Sequence, residues 1–303
     1  MIKNILVPLD GSAFGEQALP VAAEIARRRQ AALHIVKVHT LVITGDNMVH
    51  YTALDLEPTS EIAGYLEKVA RNIQEKSGVK PVTRVLEGAV SEALEIYAAE
   101  NHIDLIAMTT HGRGGLSRAW LGSVTDDLVR HASAPVLLLR PSEKPAERPA
   151  PTAFHRVLIG LEGSAHSESV LEPALELAKL FEAPVTLVRA IMPPPVYGLE
   201  VAGYAPAVAD LTATDKLREE ANEYLRRKAA ALKERGIAAS PLLLEAPHAA
   251  SAILDTARKE NCDLIAMATH GRGGLPRLIL GSTTDKVIRG ATSAVLVRRP
   301  AAN

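Results

Sequence analysis

THGRGGLSRAWLGSVTDDLVR, from Thr110 to Arg130, returns as THGRGGLPRLILGSTTDKVIR from Thr269 to Arg289, with 14 of 21 positions identical. The apolar run DLIAM precedes each copy, at Asp104 to Met108 and Asp263 to Met267. A buried strand that runs into a glycine-rich loop and then a Ser-capped helix is a common way to hold phosphate. The chain therefore reads as a tandem repeat, and at 303 residues each half is long enough to bury its own core.

Outward from these copies, each half alternates apolar strands with amphipathic helices. Ile2 to Leu9 reads as a buried strand, and Asp10-Gly11-Ser12 turns it into a helix reaching Arg29 with Ser12 as N-cap. Strands follow at Leu33 to Val38, Pro81 to Leu86, Ile103 to Thr109 and Pro135 to Arg140. The helices between them run from Pro58 to Gly78, Ser91 to Glu100 and Ser123 to His131, and Thr40 to Leu56 is irregular. The second half repeats the order, with strands at Arg156 to Leu161, Val185 to Ile191, Pro241 to Glu245, Asp263 to Ala268 and Ala294 to Arg298. Such βαβ units imply an α/β fold of two tandem domains, each a five-stranded parallel sheet of order 3-2-1-4-5 with helices on both faces, Rossmann-like. Four prolines between Pro141 and Pro151 mark a stiff linker. The expected division is residues 1–142, a linker over 143–153, and residues 154–303.

Composition narrows the function. With 47% hydrophobic and 23% charged residues the chain is globular, and no apolar run reaches the ~18 residues of a membrane span. A net charge of −1 and 3% aromatic residues argue against nucleic acid, which needs a basic face or stacking platforms. The basic run Arg27-Arg28-Arg29 closes a helix, where cations complement the dipole. MIKNILVPLD has no signal-peptide pattern, and a single cysteine, Cys262, makes no internal disulfide; a cytoplasmic location is expected.

In an open parallel sheet, ligands sit beyond the carboxyl ends of the strands where the strand order reverses. Asp10 and the Gly112 loop lie at such ends, so Asp10 is placed to accept from ribose hydroxyls. Gly112, Gly114 and Gly115 let backbone amides approach phosphate, Gly122-Ser123 opens a helix whose positive end attracts an anion, and Arg113 adds charge. Glycines also serve ordinary tight turns, and Ser123 caps a helix with or without a ligand. His111 and His270 stand as loop residues rather than bases, since no Ser, Cys or carboxylate at a telling spacing supports catalysis. The ten histidines form no paired metal motif, so neither a catalytic nor a metal site is expected.

NILVPLDGS and RVLIGLEGS, HGRGGLSRAWLGS and HGRGGLPRLILGS, and the closing strands APVLLLRP and SAVLVRRP together resemble the universal stress protein family, nearly end to end in both halves. In the ATP-binding branch of that family the pattern is Gly, two residues, Gly, nine residues, Gly, then Ser or Thr. This chain meets all but the first position, which is Thr109 in one copy and Ala268 in the other. The resemblance implies that Pro8, Asp10, Val38 and Met108 line the adenosine end, beside Thr109. Gly112, Arg113, Gly122, Ser123, Val124 and Thr125 would then meet the phosphates. The second copy offers Glu162, Ala190, Met267, Ala268, Gly271, Arg272, Gly281, Ser282, Thr283 and Thr284, with Glu162 and Gly160 replacing the aspartate and the proline.

The resemblance thus implies a cytoplasmic stress-response module that binds ATP, with or without Mg2+, and responds to it with little or no turnover. A slow ATP hydrolase or autophosphorylating enzyme, and a nucleotide-free interaction protein, are the alternatives. Single-domain members of the family dimerise through the last strand. The tandem chain is accordingly expected to pair Val136–Arg140 with Val295–Arg298 internally, with a homodimer of the whole chain as a further expectation.

Overall fold

The computed structural model describes residues 1–40, 43–44, 48–49, 58–110, 121–142, 144, 149–192, 211–269 and 280–300. The first half runs β1 (Asn4–Pro8), a 3-10 turn (Gly15–Ala18), α1 (Leu19–Arg29), β2 (Ala32–His39), β3 (Ile43–Thr44), β4 (Met48–Val49), α2 (Thr59–Ser77), β5 (Val82–Glu87), α3 (Val90–Glu100), β6 (Leu105–Thr109), α4 (Ser123–His131) and β7 (Val136–Leu139). The second half follows with β8 (Val157–Gly160), α5 (Ala165–Glu168), α6 (Leu171–Leu180), β9 (Val185–Ile191), α7 (Leu211–Glu234), β10 (Ala239–Glu245), α8 (Ala249–Lys259), β11 (Leu264–Ala268), α9 (Ser282–Gly290) and β12 (Ala294–Arg298).

Each half is a parallel five-stranded sheet in the expected order 3-2-1-4-5: β5-β2-β1-β6-β7 and β10-β9-β8-β11-β12. The β1 apolar run is buried on both faces, as a central parallel strand requires; Ile5, Leu6 and Val7 are fully buried. One face of the sheet is covered by α1, α2, α6 and α7 around Ile5, Val7, Phe154 and Ile159. The other is covered by α3, α4, α8 and α9 around Leu6, Ile106, Leu158 and Ile265.

β7 and β12 lie side by side and antiparallel, which joins the two sheets into one of ten strands. Leu137 stands opposite Leu296, its own counterpart in the repeat, so a local two-fold passes between them. The flanking contacts repeat that symmetry. Arg140, just past β7, donates to the last carbonyls of α9, Ile288 O at 3.2 Å and Arg289 O at 2.9 Å. Its counterpart Arg299 donates to His131 O at the end of α4, at 2.8 Å.

Several details differ from the sequence reading. The first helix does not start at Ser12: a 3-10 turn precedes α1, whose Pro20 sits at the start where its missing N–H costs nothing. In the second half the same segment is split into α5 and α6. The stretch read as irregular after β2 contains a short antiparallel pair, β3 with β4. The arginine run at the end of α1 does more than complement a dipole. Arg27 and Arg28 pair with Glu24, Arg28 also reaches Leu180 O at 3.1 Å and lies 4.9 Å from the Phe181 ring centre, and Arg29 pairs with Glu176 at 2.8 Å. Among the described residues no helix is long and apolar enough to cross a membrane. Cys262 is buried, and burial pushes its thiol up to about 11.

Leu137→Ala removes a fully buried side chain at the local two-fold. Urea unfolding should show a loss of about 2–5 kcal/mol, whereas Ile96→Ala, on the exposed side of α3, should stay within about 0.5 kcal/mol.

Candidate functional site

The carboxyl end of β1 passes through Leu9, whose N–H donates to Val36 O at 2.8 Å, into a turn at Gly11 with φ of 85°. Asp10 is fixed there by a local loop. Its Oδ1 accepts from the Ser12 N–H at 2.9 Å and from Ser12 Oγ at 2.7 Å, and Ser12 Oγ in turn accepts from the Gly15 N–H at 3.1 Å. A Cβ on Gly15 would stand 2.7 Å from Asp10 Oδ1, so this glycine is what lets the carboxylate lie against the turn. The second half rebuilds the device with one more methylene. Ser164 Oγ donates to Glu162 Oε1 at 2.7 Å and accepts from the Ser167 N–H at 3.1 Å, after a turn at Gly163 with φ of 91°. The signal was present in the sequence as the Asp-Gly-Ser and Glu-Gly-Ser spacing.

At the end of β6, the strand next to β1, α4 is docked onto the strand. The Gly122 N–H donates to Thr110 O at 2.9 Å and Thr125 Oγ1 to Thr109 O at 3.3 Å. α9 repeats both bonds, Gly281 N–H to Thr269 O at 2.7 Å and Thr284 Oγ1 to Ala268 O at 2.8 Å. Gly122 and Gly281, not the serines, occupy the N-cap positions, and neither helix has a side-chain cap. Ser123 and Ser282 are the first helical residues and are exposed. The expectation of a serine cap is thereby corrected: a glycine is needed where the backbone passes the strand end, since a Cβ on Gly281 would stand 2.8 Å from Thr269 O.

Strand alternation sorts the remaining positions. Met108 belongs to the core beneath α3 and α4, Val38 packs against that core, and Pro8 shares the side of Leu6, which also belongs to it. Pro8, Val38 and Met108 thus lie on one face, above the start of α4. Thr109, where the family pattern has its first glycine, falls on the opposite side with Leu105 and Ala107, and Ala268 does so with Leu264 and Ala266. Thr125 and Thr284 are buried with their hydroxyls committed to strand carbonyls, so their geometry anchors the helix. In the second half Ala190 is half-buried at the end of β9, and Thr283 likewise in the first turn of α9, as is Val124 in α4. The Met267 side chain lies 3.4–3.8 Å from where a Cβ of Gly160 would be, so it leans over the floor that Pro8 occupies in the first half. Gly112, Arg113, Gly271 and Arg272, with Gly114, Gly115, His111 and His270, lie outside the described residues.

Comparison with known proteins gives one family. The model described as the universal stress protein family matches residues 1–140 and 153–299. A universal stress protein of Mycobacterium tuberculosis is 26% identical over 317 aligned residues, covering 98% of this chain and 95% of that protein. One from Mycolicibacterium smegmatis is 27% identical, covering 98% and 97%. The crystal structure of a universal stress protein from Archaeoglobus fulgidus superimposes with a TM-score of 0.68 at 21% identity, over 98% of this chain and 96% of that one, a likeness of fold.

Two glycines with opposite surroundings separate the close approach from ordinary helix propensity. Gly281→Ala should cost about 1–3 kcal/mol in a denaturation experiment, because backbone must move away from Thr269 O. Gly64→Ala in α2, with nothing within 4 Å of the new methyl, should stabilise by about 0.5–1 kcal/mol.

Proposed function

The chain belongs to the universal stress protein family, and we propose that it binds an adenine nucleotide, ATP, and serves in the cytoplasm as a nucleotide-responsive regulatory module. The observation that carries this reading is the pairing, in both halves, of a serine-oriented carboxylate after the first strand with an uncapped helix start after the fourth. A carboxylate accepts from ribose hydroxyls, and the unfilled N–H groups and positive dipole end of a helix attract phosphate. Pro8, Val38 and Met108 supply an apolar face for the base. Ser123 and Val124 present the first turn of α4 to the phosphates, together with the loop that carries Gly112 and Arg113. Mg2+ would arrive on the phosphate oxygens.

The nucleotide-binding domains are assigned to residues 1–142 and 154–303, with 143–153 as linker. Their pairing through β7 and β12 is supported by the ladder between those strands and would hold both sites in one body in solution. A homodimer of the whole chain is part of the same proposal. The role is regulatory: binding energy is spent on shape or partner affinity rather than on turnover.

The first site is the tighter of the two. Asp10 accepts from both the N–H and the hydroxyl of Ser12, which fixes its carboxylate, whereas Glu162 has an extra rotatable bond and Gly160 leaves the floor to Met267.

Adenine nucleotide should raise the melting temperature of nucleotide-free protein, since a ligand bound only by the native state adds about 2.7 kcal/mol at a hundredfold excess over Kd. No shift at millimolar ATP overturns the reading. Calorimetric titration of Asp10→Ala should show about a tenfold or greater loss at the high-affinity site, and Glu162→Ala little change there. A larger effect of Glu162→Ala would reverse the ranking.

A further inference from the structure

Toward the C-terminal end of α4, beyond its first turn, three side chains converge that the nucleotide site does not use. Asp127 and His131 lie one turn apart on α4, with His131 Nδ1 2.8 Å from Asp127 Oδ1, and Glu95 projects from α3. One ligand atom from each of the three lies within 4.8 Å of the others, and all three residues are half-buried. The second half has no such group: Glu95, Asp127 and His131 correspond to Leu254, Lys286 and Gly290. There the leucine packs so closely over the glycine that a Cβ would stand 2.6 Å from Leu254 Cδ1. The fold is therefore satisfied by an apolar contact at this place, and the polar cluster is an addition to the first half.

Charge at the cluster is out of balance. The groups acting on Glu95 are Asp127, Glu92, Arg299 and His131. Three carboxylates stand against the guanidinium of Arg299, and Arg130 also acts on Asp127. Arg299 is held on His131 O, where it caps the helix, and the negative end of the α4 dipole adds to the deficit. Burial pushes the Glu95 carboxyl above its ordinary range, and no side-chain hydrogen bond within the described residues offsets that cost. A divalent cation offsets that excess of negative charge.

We infer that Glu95, Asp127 and His131 form a binding site for a divalent transition metal of the zinc class, present in the first domain only. One imidazole and two carboxylates match the nitrogen and oxygen ligands that Zn2+ takes at about 2.0–2.2 Å. Ligands at the corners of a tetrahedron around such an ion stand about 3.3–3.6 Å apart, so atoms already within 4.8 Å of one another close on it with side-chain shifts of about 1 Å. Three protein ligands leave a position for water, and binding would clamp α3 to the C-terminal end of α4. The sequence hid the site because Glu95 joins from another helix and the paired spacing, Asp127 to His131, has only one histidine.

Isothermal titration of the full-length, nucleotide-free protein with Zn2+ tests this. One equivalent should bind with micromolar or better affinity and weaken at least tenfold in Glu95→Gln and in His131→Gln. The double variant Glu95→Leu with His131→Gly, which installs the residues the second half already carries, should fold and melt normally and lose the site. Failure of the wild type to bind Zn2+ below millimolar, or binding that survives Glu95→Gln or the double variant, overturns the proposal. The outcome is independent of whether ATP binds.

Discussion

The antiparallel ladder between β7 and β12 is the constraint on which the rest of the molecule depends. A parallel five-stranded sheet whose last strand is buried on both faces ends in a row of unpaired amides and carbonyls beside Val136, Leu137, Leu138 and Leu139, all nearly inaccessible to solvent. Water cannot satisfy such an edge without exposing the apolar side chains, and an uncovered edge is an invitation to aggregate. The second half offers the same edge, Ala294 to Val297, and the two satisfy each other about a local two-fold. Arg140 and Arg299 extend that exchange by capping helices that belong to the other half. The apolar layers on each face consequently run across the junction without a break.

Much of this was legible in the sequence because it rests on periodicity that recurs. Buried parallel strands are written as short apolar runs, helices as 3.6-residue patterns, and the duplication of both confirmed the order of elements. What was not legible rests on contacts between distant residues. Arg28 and Arg29 read as helix-end cations, yet their partners, Leu180 O, Phe181 and Glu176, lie about 150 residues away in the other half. Pro20 gave no hint that the helix would be preceded by a 3-10 turn instead of starting at Ser12, because proline suits the first position of either arrangement.

Within the candidate site, the carboxylates were legible by type and position but their orientation was not. An Asp-x-Ser spacing predicts a local hydrogen bond, and that bond fixes the Asp10 carboxylate through Oδ1 at the end of the first strand. Thr125 and Thr284 show the opposite case. Their place in the motif suggested phosphate contacts, and tertiary packing turned their hydroxyls to Thr109 O and Ala268 O.

The same packing changes what the glycines mean. Gly281 is held by the strand carbonyl 2.8 Å from its would-be Cβ, a requirement that operates whether or not a ligand is present. The retained Gly-Ser pair is therefore weak support for phosphate by itself. Its stronger consequence is indirect: a glycine at the N-cap has no side chain to give, so among the described residues the first amides of α4 and α9 lack the cap that Ser, Thr or Asp supplies at most helix starts. A motif fixed by the need to pass close to a strand thus places a helix start at the strand end next to the one that carries Asp10 or Glu162. That combination of donor and acceptor, rather than the glycines, is what suits the cleft to a ligand carrying both phosphate and hydroxyl groups.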